Sequence, residues 1–156
     1  MTYEKIDQLI EITRKKNELL KSMLTLTEKQ KENIDKDSYR ALNKSLDEKD
    51  EIIKEIDQLD RDFLDIFTEI KREHFIENID QLDPKKYPNL KELKEAVKEV
   101  TSTLLAISLL DKENIKSIKE KLEDTKRELV RIKSGKRAYK GYNYSFADSM
   151  LIDEKK

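Results

Sequence analysis

The sequence lacks cysteine altogether and has a single histidine, His74, among its 156 residues. Without cysteine the chain can form no disulfide, no thiolate metal site and no cysteine nucleophile. One histidine supplies neither a two-histidine zinc site nor the two Glu-x-x-His motifs of a di-iron bundle. We therefore expect no metal and no cofactor, and an enzyme is the least favoured class of protein.

Glycine and proline are also scarce, with two of each in the chain: Gly135, Gly141, Pro84 and Pro88. Two glycines cannot build a phosphate-binding loop or a dinucleotide-binding fingerprint. Charged residues make up 43% of the chain and hydrophobic residues 36%. This composition argues against a β-sandwich, a barrel or a Rossmann unit, and it is typical of long helices.

Long hydrophobic runs are absent as well. The longest, roughly Leu104 to Leu110, is far shorter than the ~20 residues that a membrane-spanning helix needs. No basic leader with an apolar region opens the sequence. We therefore expect a soluble protein with no membrane insertion, and the absence of cysteine allows a cytoplasmic location.

Apolar residues recur at helical spacing over three segments, about residues 2–34, 38–82 and 90–134. Residues 35–38 supply capping side chains where the first pattern lapses, which favours a short turn and a helical hairpin. The second break, Pro84–Pro88, forbids a continuous helix. The second segment carries two adjacent stripes of apolar residues, so it can contact two neighbouring helices. Two positions of the first stripe hold charged residues, Lys49 and Asp60, in place of apolar ones.

The predicted fold is all-α: an elongated antiparallel three-helix bundle or coiled coil over residues 1–138. Residues 139–156 have a different composition and no helical period. Four of the ten aromatic residues fall there: Tyr139, Tyr142, Tyr144 and Phe146. We expect this segment to be a flexible tail that docks intermittently, because its aromatic side chains are costly to leave in water.

The net charge of −1 hides a segregation of signs along the chain. Residues 1–36, 37–83 and 84–156 carry net charges of +1, −8 and +6, which favours complementarity between segments. The lysines of the last segment alternate with glutamates along the helix, a pattern that makes intrahelical pairs rather than a phosphate-binding track. Only four basic residues cluster near aromatic ones, so we expect no nucleic-acid binding: Lys133, Lys136, Arg137 and Lys140.

The remaining polar features have ordinary structural interpretations. His74 is in register with the apolar stripe of the second helix, and it could act as a base beside Glu73 or Glu77. A structural or a half-exposed histidine is the favoured interpretation, because few other reactive groups surround it. The acidic runs at residues 47–51 and 57–65 are expected to be solvated helix faces, since helical carboxylates lack the loop geometry of a calcium site.

The apolar stripes are the strongest signal in the sequence, and part of them is simply core. A thin bundle cannot shield helices with two stripes along their whole length, so some apolar surface should remain for a partner helix. We place that surface on the later part of the third helix. The predicted partner-binding residues there are Leu110, Ile115, Ile118, Leu122, Leu129 and Ile132.

The order of these features resembles FlgN-type flagellar export chaperones. The resemblance covers roughly residues 5–133 and rests on an amphipathic first helix with Leu19-Leu20 and a turn bearing Asp37. It continues in the second helix from Ala41-Leu42 to Ile56, and in Glu113-Asn114-Ile115 of the third. The ending from Gly141 to Lys156, with Ile-Asp-x-Lys-Lys, is similar to the aromatic ending of some members.

The resemblance implies a cytoplasmic, non-enzymatic chaperone. Such a chaperone would bind the C-terminal helices of hook-associated proteins, which form the hook-filament junction, and deliver them unpolymerised to the export apparatus. The tail is expected to shield the apolar surface or to contact the export machinery. Its predicted contact residues are Tyr142, Phe146, Leu151 and Ile152.

Two alternatives remain open at the level of sequence. A structural coiled coil could self-associate through the same stripes as a homo-oligomer. A chaperone for the filament cap would share the same helical plan, and sequence pattern scarcely separates it from a chaperone for the junction proteins.

Overall fold

The computed structural model describes residues 1–135, which form three α-helices and no β-strand. Helix α1 spans Thr2–Asp35, α2 spans Tyr39–His74 and α3 spans Leu90–Gly135. A short 3-10 helix, Ile79–Gln81, lies between α2 and α3. The all-α prediction is confirmed.

The chain divides into two compact units, Met1–Asp111 and Lys112–Lys156. The first contains α1, α2 and the beginning of α3, and the described part of the second is the rest of α3. The apolar pattern predicts one unit over residues 1–138 and does not indicate this boundary. The predicted tail, residues 139–156, lies outside the described residues.

Helix α2 ends at His74, whereas the apolar pattern predicts that it continues to Leu82. Phe75 takes the left-handed conformation, with φ of 53°, and its N–H donates to the carbonyl of Lys71. The chain then forms the 3-10 helix, which Asn78 and Gln81 cap reciprocally. The predicted helix was too long because Ile79 and Leu82 keep the apolar spacing of α2 while lying in a separate turn.

Helices α1 and α2 pack against each other as an antiparallel hairpin. Lys5 of α1 contacts Glu73 of α2, and the Lys16 Nζ lies 2.7 Å from the Asp60 Oδ1. Residue numbers therefore fall along α2 as they rise along α1. The backbones of these two helices approach closely over an extended length.

The first part of α3 runs parallel to α1. At its start, the Asn89 amide donates to the Tyr3 carbonyl at 3.0 Å and to the Asp7 carboxylate at 2.9 Å. Further along, the Thr103 hydroxyl donates to the Asn17 side chain at 2.9 Å. Residue numbers on α1 and α3 therefore rise together, and the three helices of the first unit run up, down and up.

Two apolar clusters form the core of the first unit, and both draw residues from all three helices. The first cluster consists of Ile6, Leu9, Ile10, Ile70, Leu82, Leu90 and Leu93. The second consists of Leu20, Met23, Ile56, Val100 and Ile107. Since each cluster joins α3 to the α1–α2 hairpin, apolar burial holds the third helix in place.

The two charged residues in the apolar stripe of α2 make cross-helix contacts. Lys49 is buried, and its Nζ donates at 3.2 Å to the Gln30 side chain and at 3.2 Å to the Asp111 carboxylate. Asp60 accepts from Lys16 of α1. A buried ammonium needs such partners because its unpaired desolvation is costly. Lys49 therefore links all three helices.

Proline at Ile56 should disrupt α2. Ile56 is buried in the second cluster, so Ile56→Pro removes an interior backbone hydrogen bond, clashes with the preceding turn and empties a core position. We expect a loss of ~3 kcal/mol or more in the free energy of unfolding, measured by urea denaturation monitored by circular dichroism. The control Ile56→Val should cost only about 0.5–1.5 kcal/mol. Equal midpoints for the two variants would contradict a continuous α2.

Candidate partner-binding surface

The described part of the second unit, residues 112–135, exposes three apolar side chains. Ile115 is 52% exposed, Val130 54% and Ile132 47%. Three further apolar residues of this segment are half-buried: Ile118, Leu122 and Leu129. An exposed apolar set on an otherwise charged helix is typical of a surface that a partner covers.

Charged side chains surround the apolar residues of this segment. Ile115 lines a shallow depression together with lysines and acids of the next helical turns. The other lining residues are Lys112, Lys116, Lys119, Glu120, Glu123, Asp124 and Arg127. Both signs are present, so an amphipathic helix could place its apolar side on Ile115 and pair its polar edges with these charges.

The predicted partner-binding residues therefore fall into three groups. Five of them lie together on α3 within the second unit: Ile115, Ile118, Leu122, Leu129 and Ile132. Leu110 belongs to the first unit and is half-buried there. The remaining four lie outside the described residues: Tyr142, Phe146, Leu151 and Ile152.

Sequence analysis missed several exposed apolar residues. Val130 follows Leu129 directly, but it falls outside the apolar stripe of α3, so the stripe does not predict its exposure. In the first unit, Leu104, Leu105 and Leu109 of α3 are also exposed. They belong to the run from Val100 to Leu110, which carries no charged side chain in a chain that is 43% charged. This uncharged run is the feature of the sequence from which the exposed leucines could have been predicted.

His74 has a structural environment. Its Nε2 lies 2.7 Å from the Thr2 hydroxyl, and its ring meets the Tyr87 ring edge-on with centroids 5.8 Å apart. The side chain is half-buried at the end of α2. These contacts tie the start of α1 to the end of α2.

A small ion-pair network lies beside His74. Lys5 contacts Glu73, and its Nζ lies 3.4 Å from the Glu69 carboxylate. The hydrogen bond from Lys5 holds the pKa of Glu73 below its ordinary value of 4.5. The same bond, with a smaller contribution from Glu69, raises the pKa of Lys5 above 10.5.

These pKa shifts predict how the network contributes to stability with pH. A lowered Glu73 pKa stabilises the fold above about pH 4.5, and this contribution is lost as the pH falls through the folded-state pKa. A raised Lys5 pKa stabilises below about pH 10.5 and is lost as the pH rises through the raised value. The difference in unfolding free energy between wild type and Glu73→Gln should therefore be small, and largest between these limits.

Urea titrations across the pH range would measure this difference, with Glu28→Gln, at an exposed glutamate of α1, as the matched control. Added salt should shrink the effect of Glu73→Gln, because both partners are near the surface. A difference that does not vary with pH, or that Glu28→Gln reproduces, would contradict a specific Lys5–Glu73 contribution.

Two searches of the described residues give further findings. Among residues 1–135, no group of three or more His, Cys, Asp or Glu side chains is arranged to hold a metal ion. No helix in that part of the chain has the length and apolarity needed to cross a membrane.

The described helices, with exposed apolar residues bordered by charges, define a helical protein suited to binding partners. The model of the family described as FlgN protein matches residues 1–145, and the chain belongs to this family. The family is one of flagellar export chaperones that bind flagellar proteins, and it is not known for enzymatic activity. Comparison with curated proteins and with solved structures finds no match.

Proposed function

We propose that this protein is a cytoplasmic chaperone for hook-associated proteins of the hook-filament junction. It binds their helical C-terminal segments, keeps them unpolymerised and delivers them to the export apparatus. The observation that carries the proposal is the exposed apolar set on residues 112–135, in a chain that belongs to the FlgN family.

The binding mode follows from the chemistry of that set. The subunits of a helical assembly expose amphipathic helices before they polymerise, and such helices aggregate through their apolar faces. A client helix that covers Ile115 and Ile132, with the half-buried Leu122 and Leu129 between them, would bury apolar surface on both partners. The surrounding charges of both signs would fix its register, and repulsion between like charges would disfavour unrelated helices.

The expected affinity is moderate. Burying ~1,000 Å² of apolar surface is worth ~25 kcal/mol before costs. Ordering the client segment and losing its free translation and rotation cancel most of that gain. Micromolar to nanomolar dissociation constants remain, and this range suits a chaperone because it must release its client at the export apparatus.

Isothermal titration calorimetry would test the proposal directly. The full chain would be titrated with the C-terminal segments of the hook-filament junction proteins and of the filament-cap protein from the same organism. Binding of a junction segment supports the proposal. Binding of the cap segment alone would assign the protein to the filament-cap client, and no binding of either segment would overturn the chaperone interpretation.

Leu122 and Leu129 provide a test at the level of residues. Their replacement by serine in the double variant Leu122→Ser, Leu129→Ser should weaken client binding by about 10- to 100-fold, because each leucine loses its buried apolar contact with the client. Circular dichroism should show nearly unchanged helicity, since both residues are half-buried rather than core residues.

The matched control is Leu109→Ser. Leu109 is exposed on α3, and at 3.6 residues per turn it lies on nearly the opposite side of the helix from Leu122 and Leu129. It should leave the affinity unchanged. If the double variant unfolds the helix, or if the control weakens binding equally, these leucines are structural and the client site lies elsewhere.

The segment after Gly141 has its own proposed role: it covers the apolar surface of the empty chaperone or contacts the export machinery. It lies outside the described residues, and the proposal rests on its aromatic and apolar content. Truncation after Lys140 separates the two roles. A covering segment predicts several-fold tighter client binding once it is removed, and an export contact predicts unchanged binding with impaired secretion. No change in either assay would leave the segment without a role.

A further inference from the structure

An aromatic side chain occupies an unfavourable position at the end of the first unit where α1 begins and α2 ends. Phe75, the residue after α2, is 96% exposed and has a φ of 53°. Within residues 1–135, the other residue with a positive φ is Asp37. Aspartate tolerates the left-handed region because its short polar side chain can hydrogen-bond locally, and phenylalanine has no such compensation.

Two separate costs therefore meet at Phe75. Helices that end in the left-handed conformation usually have glycine at this position, since a Cβ atom makes the conformation unfavourable. The exposed phenyl ring also leaves its apolar surface in water. Glycine would remove both costs and keep the hydrogen bond from the N–H of residue 75 to the Lys71 carbonyl. Neither the helix end nor the core accounts for the ring, which leaves a contact outside the chain as its role.

A second apolar side chain is exposed at the same end of the bundle. Met1 is 84% exposed. The next residue, Thr2, lies against the end of α2, with its hydroxyl 2.7 Å from the His74 Nε2. Met1 and Phe75 therefore both extend from the end of the first unit where α1 begins.

The turn before α3 brings basic residues to this end. The Tyr87 ring meets the His74 ring edge-on, with centroids 5.8 Å apart, and two exposed lysines, Lys85 and Lys86, precede Tyr87. Arg72 is exposed in the last turn of α2, three residues before Phe75. We call this end of the unit the tip, and we define it by Met1, Arg72, Phe75, Lys85 and Lys86.

The cations of the tip are free, whereas most of the acidic side chains near it are paired. Ion pairs occupy four of these acids: Glu4, Glu69, Glu73 and Asp80. Within residues 1–135, Arg72, Lys85 and Lys86 form no ion pair. Of the remaining acids, Asp83 accepts a hydrogen bond from the backbone N–H of Lys85 at 2.9 Å, and Glu77 is exposed. The tip therefore has an excess of free positive charge.

The exposure of Phe75 indicates the kind of partner. A ring that is 96% exposed has almost none of its surface against its own chain, so a partner must surround it nearly completely. A protein does this only where neighbouring surfaces close around the ring and exclude water. The interfacial layer of a membrane surrounds a protruding ring without needing a matching shape, and aromatic side chains are enriched at that level. Anionic headgroups would also pair with the free cations.

We propose that the tip binds the surface of an anionic phospholipid membrane. The Phe75 ring enters the interfacial layer, and Arg72, Lys85 and Lys86 lie against the headgroups. A single myristoyl chain gives an association constant of only ~10⁴ M⁻¹, and one ring with a few cations should give no more, so the binding is weak and reversible. The tip belongs to the first unit, and the proposal does not depend on the client surface of the second.

A fluorescent reporter tests the position of the ring. The chain has no tryptophan, so Phe75→Trp introduces a single reporter at the tip. With vesicles of equal parts phosphatidylcholine and phosphatidylglycerol, its emission should shift to shorter wavelength because the indole leaves water, and vesicles of phosphatidylcholine alone should give no shift. The matched control is Leu105→Trp, at a 60% exposed residue of α3, which should show no shift with either. No shift at residue 75, or an equal shift at residue 105, would overturn the proposal.

Phe75→Gly separates binding from folding. Its affinity for the anionic vesicles, measured by co-sedimentation of the full chain, should fall by about tenfold because the ring is lost. Its thermal midpoint should rise by a few degrees, since glycine adopts a φ of 53° without strain. A lowered midpoint would make Phe75 a structural residue, and an unchanged affinity would show that the ring does not touch the membrane. Either result would overturn the proposal.

A charge reversal tests the cations. The double variant Lys85→Glu, Lys86→Glu should weaken vesicle binding by about tenfold or more. The matched control, Lys29→Glu with Lys31→Glu, makes the same charge change near the other end of α1 and should leave binding unchanged. Equal losses in both double variants would contradict binding through the tip. If the C-terminal segment of a junction protein, without vesicles, shifts the Phe75→Trp emission, the tip contacts the client and the membrane proposal is wrong.

Discussion

The burial of α1 between α2 and α3 is the constraint on which the first unit depends. Helix α1 contributes to both apolar clusters, and its polar side chains bond to α2 on one side and to α3 on the other. Because α1 has partners on two sides, most of its apolar residues are buried. Helices α2 and α3 each share one side with α1, which leaves them with apolar residues to spare.

The polar contacts between the helices complement that burial by fixing register. Apolar side chains slide past one another with little change in energy, whereas a buried donor displaced from its acceptor loses a hydrogen bond and remains desolvated. Lys49, which donates to Gln30 and Asp111, is such a buried donor between the two ends of the bundle. Asn89, which donates to Tyr3 and Asp7, is another, at the start of α3. We infer that such pairs select one alignment from several that the apolar stripes would tolerate.

The exposed apolar residues are the kind of surface that a member of a chaperone family needs to bind its client. A chaperone of flagellar subunits must offer apolar surface to a client and yet avoid aggregating through it. Here charged residues of both signs border Ile115, so charge restricts which partners can cover that surface.

The sequence by itself determined the number of α-helices and the place of the first break, because helical periodicity and capping residues act over a few neighbouring positions. Its prolines indicated the second break, but not that α2 already ends at His74. It also indicated the apolar residues in the later part of α3, and the charged positions Lys49 and Asp60 within the apolar stripe of α2. It did not indicate which residues Lys49 and Asp60 contact. Only the tertiary structure decided which stripe of α2 is covered. Ile52 and Ile53 are identical side chains on adjacent stripes, yet Ile52 packs against the second cluster and Ile53 is exposed. Burial depends on where α1 and α3 lie around α2, and that arrangement is a property of contacts between residues far apart in the chain.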